Sequence, residues 1–276
     1  MTAQDFEYVC RFVRDRSAIV LDAGKEYLVE SRLGPLAARL QLGSVADLIG
    51  RLRTGRDAAL GTRVIEAMVT NETLFFRDVQ PFDTLRRTVL PELIRRRAGE
   101  RRLDVWCAAC STGQEPYSLA ILLREYFPAL AAWRVGILAT DLSAEVLGRA
   151  REGRYTQLEV NRGLPAALLL KYFRQHAAVW ELADDVRRMV EFRELNLVRE
   201  WPPLPRFDLV FLRNVMIYFD VDTKKAILGR VARVLRPDGH LLLGAAESTI
   251  NLDDTFRRAE ELKGGFYQPA GGSGFP

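Results

Sequence analysis

Apolar positions over roughly the first seventy residues recur at helical spacing. Leu33, Leu36, Ala37 and Leu40 sit at i, i+3, i+4 and i+7, and Leu60, Val64 and Met68 continue the period further along. Ser44-Val45-Ala46-Asp47 has the form of a capping box at the start of another helix. Nothing in this stretch alternates with period two. Residues 1–74 are therefore expected to form a small all-α domain, with a linker and helix over 75–101.

Beyond Arg102 the pattern changes. Leu103-Asp104-Val105-Trp106-Cys107, Val135-Gly136-Ile137-Leu138-Ala139, Phe207-Asp208-Leu209-Val210-Phe211-Leu212 and Leu241-Leu242-Leu243 are short, mostly apolar runs suited to buried strands. Helical patterns lie between them. Leu119, Leu122, Leu123 and Tyr126 share one face, Ser143 can cap the next helix, and Ile227, Val231, Val234 and Leu235 mark a helix that stops at Arg236-Pro237-Asp238-Gly239. Strand alternating with helix predicts an α/β domain over 102–276, with a mostly parallel sheet covered on both faces. The stretch from about 155 to 192 is longer than one crossover needs and has no single period, which predicts a small inserted subdomain. The glycine-rich tail 270–276 reads as flexible.

Composition narrows the class. The chain is 48% hydrophobic and 28% charged, an ordinary globular balance. No apolar run is long enough to span a bilayer, and the N-terminus shows no basic-then-apolar signal, so a cytoplasmic protein without membrane insertion is expected. Three cysteines do not make a disulfide framework. Cys107 and Cys110 have CxxC spacing, but with two histidines in the chain and no second ligand pair they read as packing residues, and no metal is expected. The net charge of +4 is concentrated between Arg77 and Arg102, where eight arginines face four carboxylates. Arg95, Arg96 and Arg97 read either as a solvated helix face or as a surface for an acidic partner. No aromatics interleave with them, so no nucleic-acid groove is expected.

In open α/β sheets, ligands bind beyond the carboxyl ends of the strands. After the first strand comes Ala109-Cys110-Ser111-Thr112-Gly113-Gln114-Glu115, a small-residue turn opening a helix, which lets a ligand approach backbone amides. It is not GxGxxG. Glu115 is either a ligand contact or the partner of Thr112 in a capping box. Asp141, at the end of the second strand, is either an acceptor for ribose hydroxyls or a turn and cap residue. Arg213-Asn214, at the end of the third, is an unusual polar pair for a mere connector.

Taken together, the strings Thr70-Asn71-Glu72-Thr73-Leu74-Phe75-Phe76-Arg77, Ser111-Thr112-Gly113-Gln114-Glu115-Pro116-Tyr117-Ser118 and Arg213-Asn214-Val215-Met216-Ile217-Tyr218-Phe219 resemble the chemotaxis receptor glutamate O-methyltransferase family. Leu235-Arg236-Pro237-Asp238-Gly239-His240-Leu241 and Ala246-Glu247-Ser248 fit it too, and the likeness runs in order from about Ile19 to Tyr267. The resemblance implies an all-α N-terminal domain followed by a class I, Rossmann-like S-adenosylmethionine-dependent methyltransferase domain carrying a small inserted antiparallel β-subdomain. It implies cofactor contacts at Asn71, Thr73, Arg77, Glu115, Asp141 (at the ribose), Asn196 and Leu197 (near the adenine), Arg213 and Asn214, and S-adenosylhomocysteine as the product. The implied partner is the cytoplasmic helical bundle of a methyl-accepting chemoreceptor, whose glutamates become methyl esters in chemosensory adaptation; a monomer is expected.

A sulfonium methyl is already activated and a glutamate is ionised at neutral pH, so direct in-line displacement needs no general base. Alignment and exclusion of water then carry the rate. Arg77 is expected either to anchor the cofactor's carboxylate or to steer the substrate glutamate, and Tyr218 either to line the transfer site or simply to pack. The basic receptor-facing helix of the family is thinned here to Lys25, Arg32 and Arg39, with Pro35 and Ala38 among them. The segment Arg174-Gln175-His176-Ala177-Ala178 is short and lacks the glycine-containing loop of members that grip a receptor's C-terminal pentapeptide, so no such tether is expected. Two other readings stand: a methyltransferase with another acceptor, and a non-catalytic scaffold that binds S-adenosylmethionine or S-adenosylhomocysteine.

Overall fold

The computed structural model describes residues 1–252 and 254–271; the end of the glycine-rich tail, 272–276, lies outside the described residues. The chain divides into two compact units, Met1–Thr70 with Tyr218–Thr223, and Asn71–Ile217 with Lys224–Pro276.

The first unit is helical: α1 (Ala3–Ser17), α2 (Glu26–Arg39), α3 (Val45–Arg53) and α4 (Ala58–Met68). Side-chain caps start three of them. Thr2 and Asp5 form a reciprocal capping box on α1, Ser44 accepts from the Asp47 amide on α3, and Asp57 accepts from Leu60 on α4. Val9, Val13, Val29, Leu33, Leu48, Ile49 and Val64 are fully buried between the helices. Each contributes on the order of 1.5–3 kcal/mol relative to exposure. Arg32 is directed inward, donating to the Met68 carbonyl and, at 2.7 Å, to the Thr70 hydroxyl. Ile19 bridges to Phe219, and the Val20 amide donates to the Tyr218 carbonyl at 3.0 Å.

The second unit opens with α5 (Gln80–Thr84), a π-helical turn Leu85–Val89 and α6 (Leu90–Arg96). The sheet then starts: β1 (Arg102–Ala108), α7 (Gln114–Tyr126), β2 (Arg134–Asp141) and α8 (Ala144–Glu152). An insertion follows, with β3 (Arg154–Thr156), α9 (Gln157–Asn161), α10 (Ala166–Tyr172), β4 (Phe173–His176), β5 (Val179–Leu182) and α11 (Asp184–Arg187). Its strands form a separate antiparallel sheet in the order β3-β5-β4. The main sheet resumes with β6 (Val190–Glu194), β7 (Phe207–Leu212), α12 (Val221–Val234), β8 (Leu235–Leu243), β9 (Phe256–Arg258) and β10 (Phe266–Pro269), in the order β6-β2-β1-β7-β8-β10-β9. The first five are parallel; β10 runs antiparallel to both β8 and β9.

Helices on both faces explain why all six residues of β7 are buried. Two boundaries differ from the sequence pattern. Val190 already pairs with Ile137 of β2, inside the span expected for the insertion, because the edge strand Val-Glu-Phe-Arg-Glu is too polar to read as a buried one. Arg236-Pro237-Asp238-Gly239, expected as a turn, lies within β8. Between the pairs Phe207–Leu235 and Leu209–His240 the register slips, so the proline sits in a bulge where its missing N–H costs no ladder bond.

The arginine-rich segment is mostly turned toward the protein's own carboxylates. Arg97 is buried, donating from Nε to Asp208 at 2.6 Å and from both terminal nitrogens to Asp238 at 2.9 and 2.6 Å. Arg95 and Arg96 bond Glu92. Only part of this segment is the solvated face that its spacing allowed. Among the described residues no helix is long and apolar enough to cross a membrane.

Candidate active site

Strand order reverses between β1 and β7. β1 leads outward to β2 and β6, and the chain then returns to the other side of β1; this is the switch point at which open α/β sheets form a crevice at the carboxyl ends of their strands. The loop after β1 enters it through residues of positive φ: Ala109 at 56°, Ser111 at 49° and Gly113 at 91°. A Cβ on Gly113 would meet the Ala150 methyl at 3.0 Å and the Tyr117 ring at 3.2 Å, so only glycine fits without displacement. Gly113 is also the N-cap of α7, and no side chain caps that helix. Its first amides are left available to a ligand.

Of the two alternatives for Glu115, the capping box with Thr112 does not form. The Thr112 hydroxyl donates to Gln114 Oε1 at 2.8 Å, while Glu115 accepts from Arg213 Nη1 at 2.8 Å. Asp141 accepts from the Ser111 amide at 2.8 Å and from the Ser143 amide at 3.0 Å, bracing the loop to the end of β2. Ser143 caps α8 through the Val146 amide. The Asp141 carbonyl accepts from Leu195, which brings the turn containing Asn196 and Leu197 to the same strand end. Asn196 accepts from the Val198 amide at 3.0 Å; Leu197 is buried, and its carbonyl accepts from Arg230 at 2.9 Å.

The segment 71–79 is tied to this loop. Ser111 Oγ donates to the Asn71 carbonyl at 2.9 Å, and the Phe76 amide donates to Ser118 Oγ at 2.9 Å. Thr73 is half-buried, and Arg77 donates to the Glu72 carbonyl at 3.1 Å. Phe76, Asp78 and Val79 have φ of 48°, 70° and 45°. The Gln80 amide bonds back to the Asp78 carbonyl, which makes Val79, at ψ −54°, the centre of a strained γ-turn.

Arg213 joins the pieces. Its side chain is 1% exposed; besides Glu115 it donates to Asp78 at 2.7 Å and to the Arg77 carbonyl at 3.0 Å. Burial pushes the Glu115 carboxyl up, and Arg213 pulls it partly back. Asn214 follows at φ 57°, and Glu247 fixes it: that one carboxylate accepts from the amides of Asn214 (2.7 Å), Val215 (2.9 Å), Met216 (2.8 Å) and Gly244 (2.8 Å). Neither Glu247 nor Asp78 had a role assigned by sequence reasoning. Glu247 follows the Leu241-Leu242-Leu243 strand, so the strand-end rule that singled out Asp141 reaches it as well. Asp78 carries no comparable signal. Tyr218 is half-buried and belongs with the helical unit, where its carbonyl holds Val20.

Residues 4–69 match the family described as CheR methyltransferase, all-alpha domain, and residues 71–264 match CheR methyltransferase, SAM binding domain. The chain belongs to the CheR methyltransferase family. Chemotaxis protein methyltransferase 1 of Pseudomonas aeruginosa is 42% identical over 268 residues, covering 96% of this chain and 97% of the relative. Chemotaxis protein methyltransferase 1 of Vibrio cholerae is 42% identical over 262 residues, covering 93% and 94%. As a CheR methyltransferase this chain is an S-adenosylmethionine-dependent enzyme of chemotaxis.

The crevice fits that methyl donor. It offers an uncapped helix start, a loop that only glycine can complete, strand-end carboxylates, and a buried Arg213 Nε without a hydrogen-bond partner. That buried donor is available to a polar group that the protein does not itself supply. Cys107 and Cys110 are buried free thiols pushed well above their ordinary range by burial, as expected of packing residues. No group of His, Cys, Asp and Glu among the described residues could hold a metal ion.

Proposed function

We propose that this protein esterifies glutamate side chains on the cytoplasmic helical bundle of a chemoreceptor, acting as a cytoplasmic monomer. The reading is carried by one observation: relatives named chemotaxis protein methyltransferases align with both units over nearly the whole chain. Bound in the crevice, S-adenosylmethionine supplies a sulfonium methyl open to direct displacement. The protein's own part is to bind, orient and exclude water. Asp141 and the Asn196–Leu197 turn are the proposed partners of the ribose and adenine. Asn71, Thr73, Arg77, Glu115, Arg213 and Asn214 are the proposed contacts toward the methionine end.

Arg213 opposes the burial that pushes the Glu115 carboxyl up, and the pair gives the crevice an acceptor suited to a cationic group. Arg77 is the proposed anchor for a carboxylate. Tyr218 is the proposed side chain of the transfer site on the acceptor's side; Tyr218→Phe separates its hydroxyl from its ring. Receptor docking through α2 rests on fewer cations than the sequence offers, since Arg32 is engaged by Met68 and Thr70. No pentapeptide tether is proposed. The β4–β5 hairpin closes through Ala177 and Ala178 alone, which leaves little loop to grip a peptide.

Radiolabelled S-adenosylmethionine, purified enzyme and chemoreceptor cytoplasmic fragments test this directly. Base-labile label on the receptor, mapped to glutamates, is expected. Tight S-adenosylmethionine binding with base-stable label, or with none, would sink the glutamate assignment.

A further inference from the structure

The inserted sheet is bonded to the loop after β1 through a tyrosine. Tyr155, on β3, is 1% exposed, and its hydroxyl donates to the Thr112 carbonyl at 2.9 Å. Its ring meets Phe75 edge-on, with centroids 5.0 Å apart at 77°, and lies 6.3 Å from Phe173 of β4. Phe75 and Phe173 are themselves 5.6 Å apart at 90°. Nearby, the Phe75 carbonyl occupies the space that a side chain on Gly163 would need, so the insertion closes on the 71–79 segment a second time.

Position decides what this contact does. The Thr112 carbonyl and the Gly113 amide belong to one peptide group. Gly113 donates to the Cys110 carbonyl at 3.0 Å, and Tyr155 takes the other side of the same group. That plane is therefore held at both ends, one residue after the Ser111 amide bonded to Asp141 and one before α7 begins. A rotation here would re-aim the uncapped helix start and release Glu115 from its angle. Burial raises the Tyr155 phenol well above its ordinary value, so it remains a donor throughout the working range.

We infer that Tyr155 is a positioning residue for cofactor binding, through which the inserted sheet sets the spacing between the 109–113 loop and the 71–79 segment. It touches no reacting atom. The inference rests on the proposed role of that loop in contacting S-adenosylmethionine.

Tyr155→Phe keeps the ring and removes the bond. Tyr172→Phe is the control: it deletes another hydroxyl bond of the insertion, 2.7 Å to Glu125, on a residue of similar burial away from the loop. Both are measured by calorimetry and steady-state kinetics at a temperature where circular dichroism shows them folded. Tyr155→Phe is expected to raise Kd and KM for S-adenosylmethionine about tenfold, the weight of one buried hydrogen bond, with kcat within about twofold. Amide exchange over 109–114 speeds up in this variant alone. Tyr172→Phe keeps the wild-type Kd. Equal weakening in both variants would make Tyr155 a generic support of the fold, and an unchanged Kd and exchange rate in Tyr155→Phe would remove it altogether. Failure of the wild-type protein to bind S-adenosylmethionine overturns the crevice reading first, and the inference falls with it.

Discussion

Arg97 and Arg213 are both buried, and each holds two carboxylates, at opposite ends of one sheet. At the amino end, all three side-chain nitrogens of Arg97 are bonded, to Asp208 and Asp238, and Asp208 also accepts from the Asp104 amide. At the carboxyl end, Arg213 has Glu115 and a half-exposed Asp78, and its Nε has no partner. A closed ion cluster can only hold strands in place. An open one, lined by amides that no side chain caps, is complementary to something outside the chain. Burial and charge alone do not separate the two, and neither does an unfilled valence, since Arg236 Nε, 3.4 Å from Asp208, is also buried without a hydrogen-bond partner; the uncapped amides of α7 beside Arg213 do.

The largest effect should come from breaking the closed end. Arg97→Met removes the bonded cation of buried Asp208 and leaves it only Arg236, 3.4 Å away, and a loss of about 3–5 kcal/mol in denaturant unfolding is expected, with turnover per folded molecule nearly unchanged. A loss below about 1 kcal/mol would mean that the cluster is loosely hydrated.

Next is the response to pH, which runs in opposite senses for His240 and Glu115. Burial holds His240, beside the Arg97 cluster, down at about 4 against an ordinary 6.5. Its stabilisation is complete above the unfolded value and is lost as pH falls through about 4, up to roughly 3 kcal/mol. Glu115 is raised, so its contribution is complete below the unfolded carboxyl value and declines as pH rises through the folded one. Unfolding titrations of His240→Gln should flatten the acid limb, and those of Glu115→Gln the other. Wild-type curves from both variants would erase the distinction.

Arg213→Met sharpens the comparison from the open end. It should lower kcat/KM by about 100-fold, roughly 2.7 kcal/mol of transition-state stabilisation, while costing less stability than Arg97→Met because Asp78 can hydrate and Glu115 can take a proton. Equal losses of stability at the two arginines would make Arg213 structural. Glu247→Gln is the mildest change. It replaces a charged acceptor of four amides with a neutral one, at a cost of about 1–3 kcal/mol and with a smaller fall in kcat/KM than Arg213→Met.

Much of this was legible in the residues. The apolar runs place β1, β2 and β7 to within two positions and catch only the end of β8, and reading the residues after each strand reaches Glu115, Asp141, Arg213 and Asn214 directly. What stayed hidden was long-range or polar. Arg97 lies 111 positions from Asp208 and 141 from Asp238, so an arginine run on a helix looked like a solvated face. β6 is an edge strand whose polar residues face outward, and its pattern merged with the insertion. Thr112 and Glu115 have capping-box spacing, but the box lost to Arg213, a partner 98 positions away that spacing cannot foresee. Tyr155 had no signal at all, because a tyrosine opening a short strand looks like any packed aromatic.

Val79 has a consequence of another kind. A β-branched residue at the centre of a γ-turn costs on the order of 1–3 kcal/mol, and glycine would relieve it at once. The turn follows Asp78 directly, so relaxing it also frees the outer carboxylate of Arg213. Selection for heat tolerance and selection for turnover should therefore pull this position apart. A library ranked by survival on heating would gather glycine here, and one ranked by methylation would discard it. The divergence between the two pools would measure how still Asp78 has to be kept.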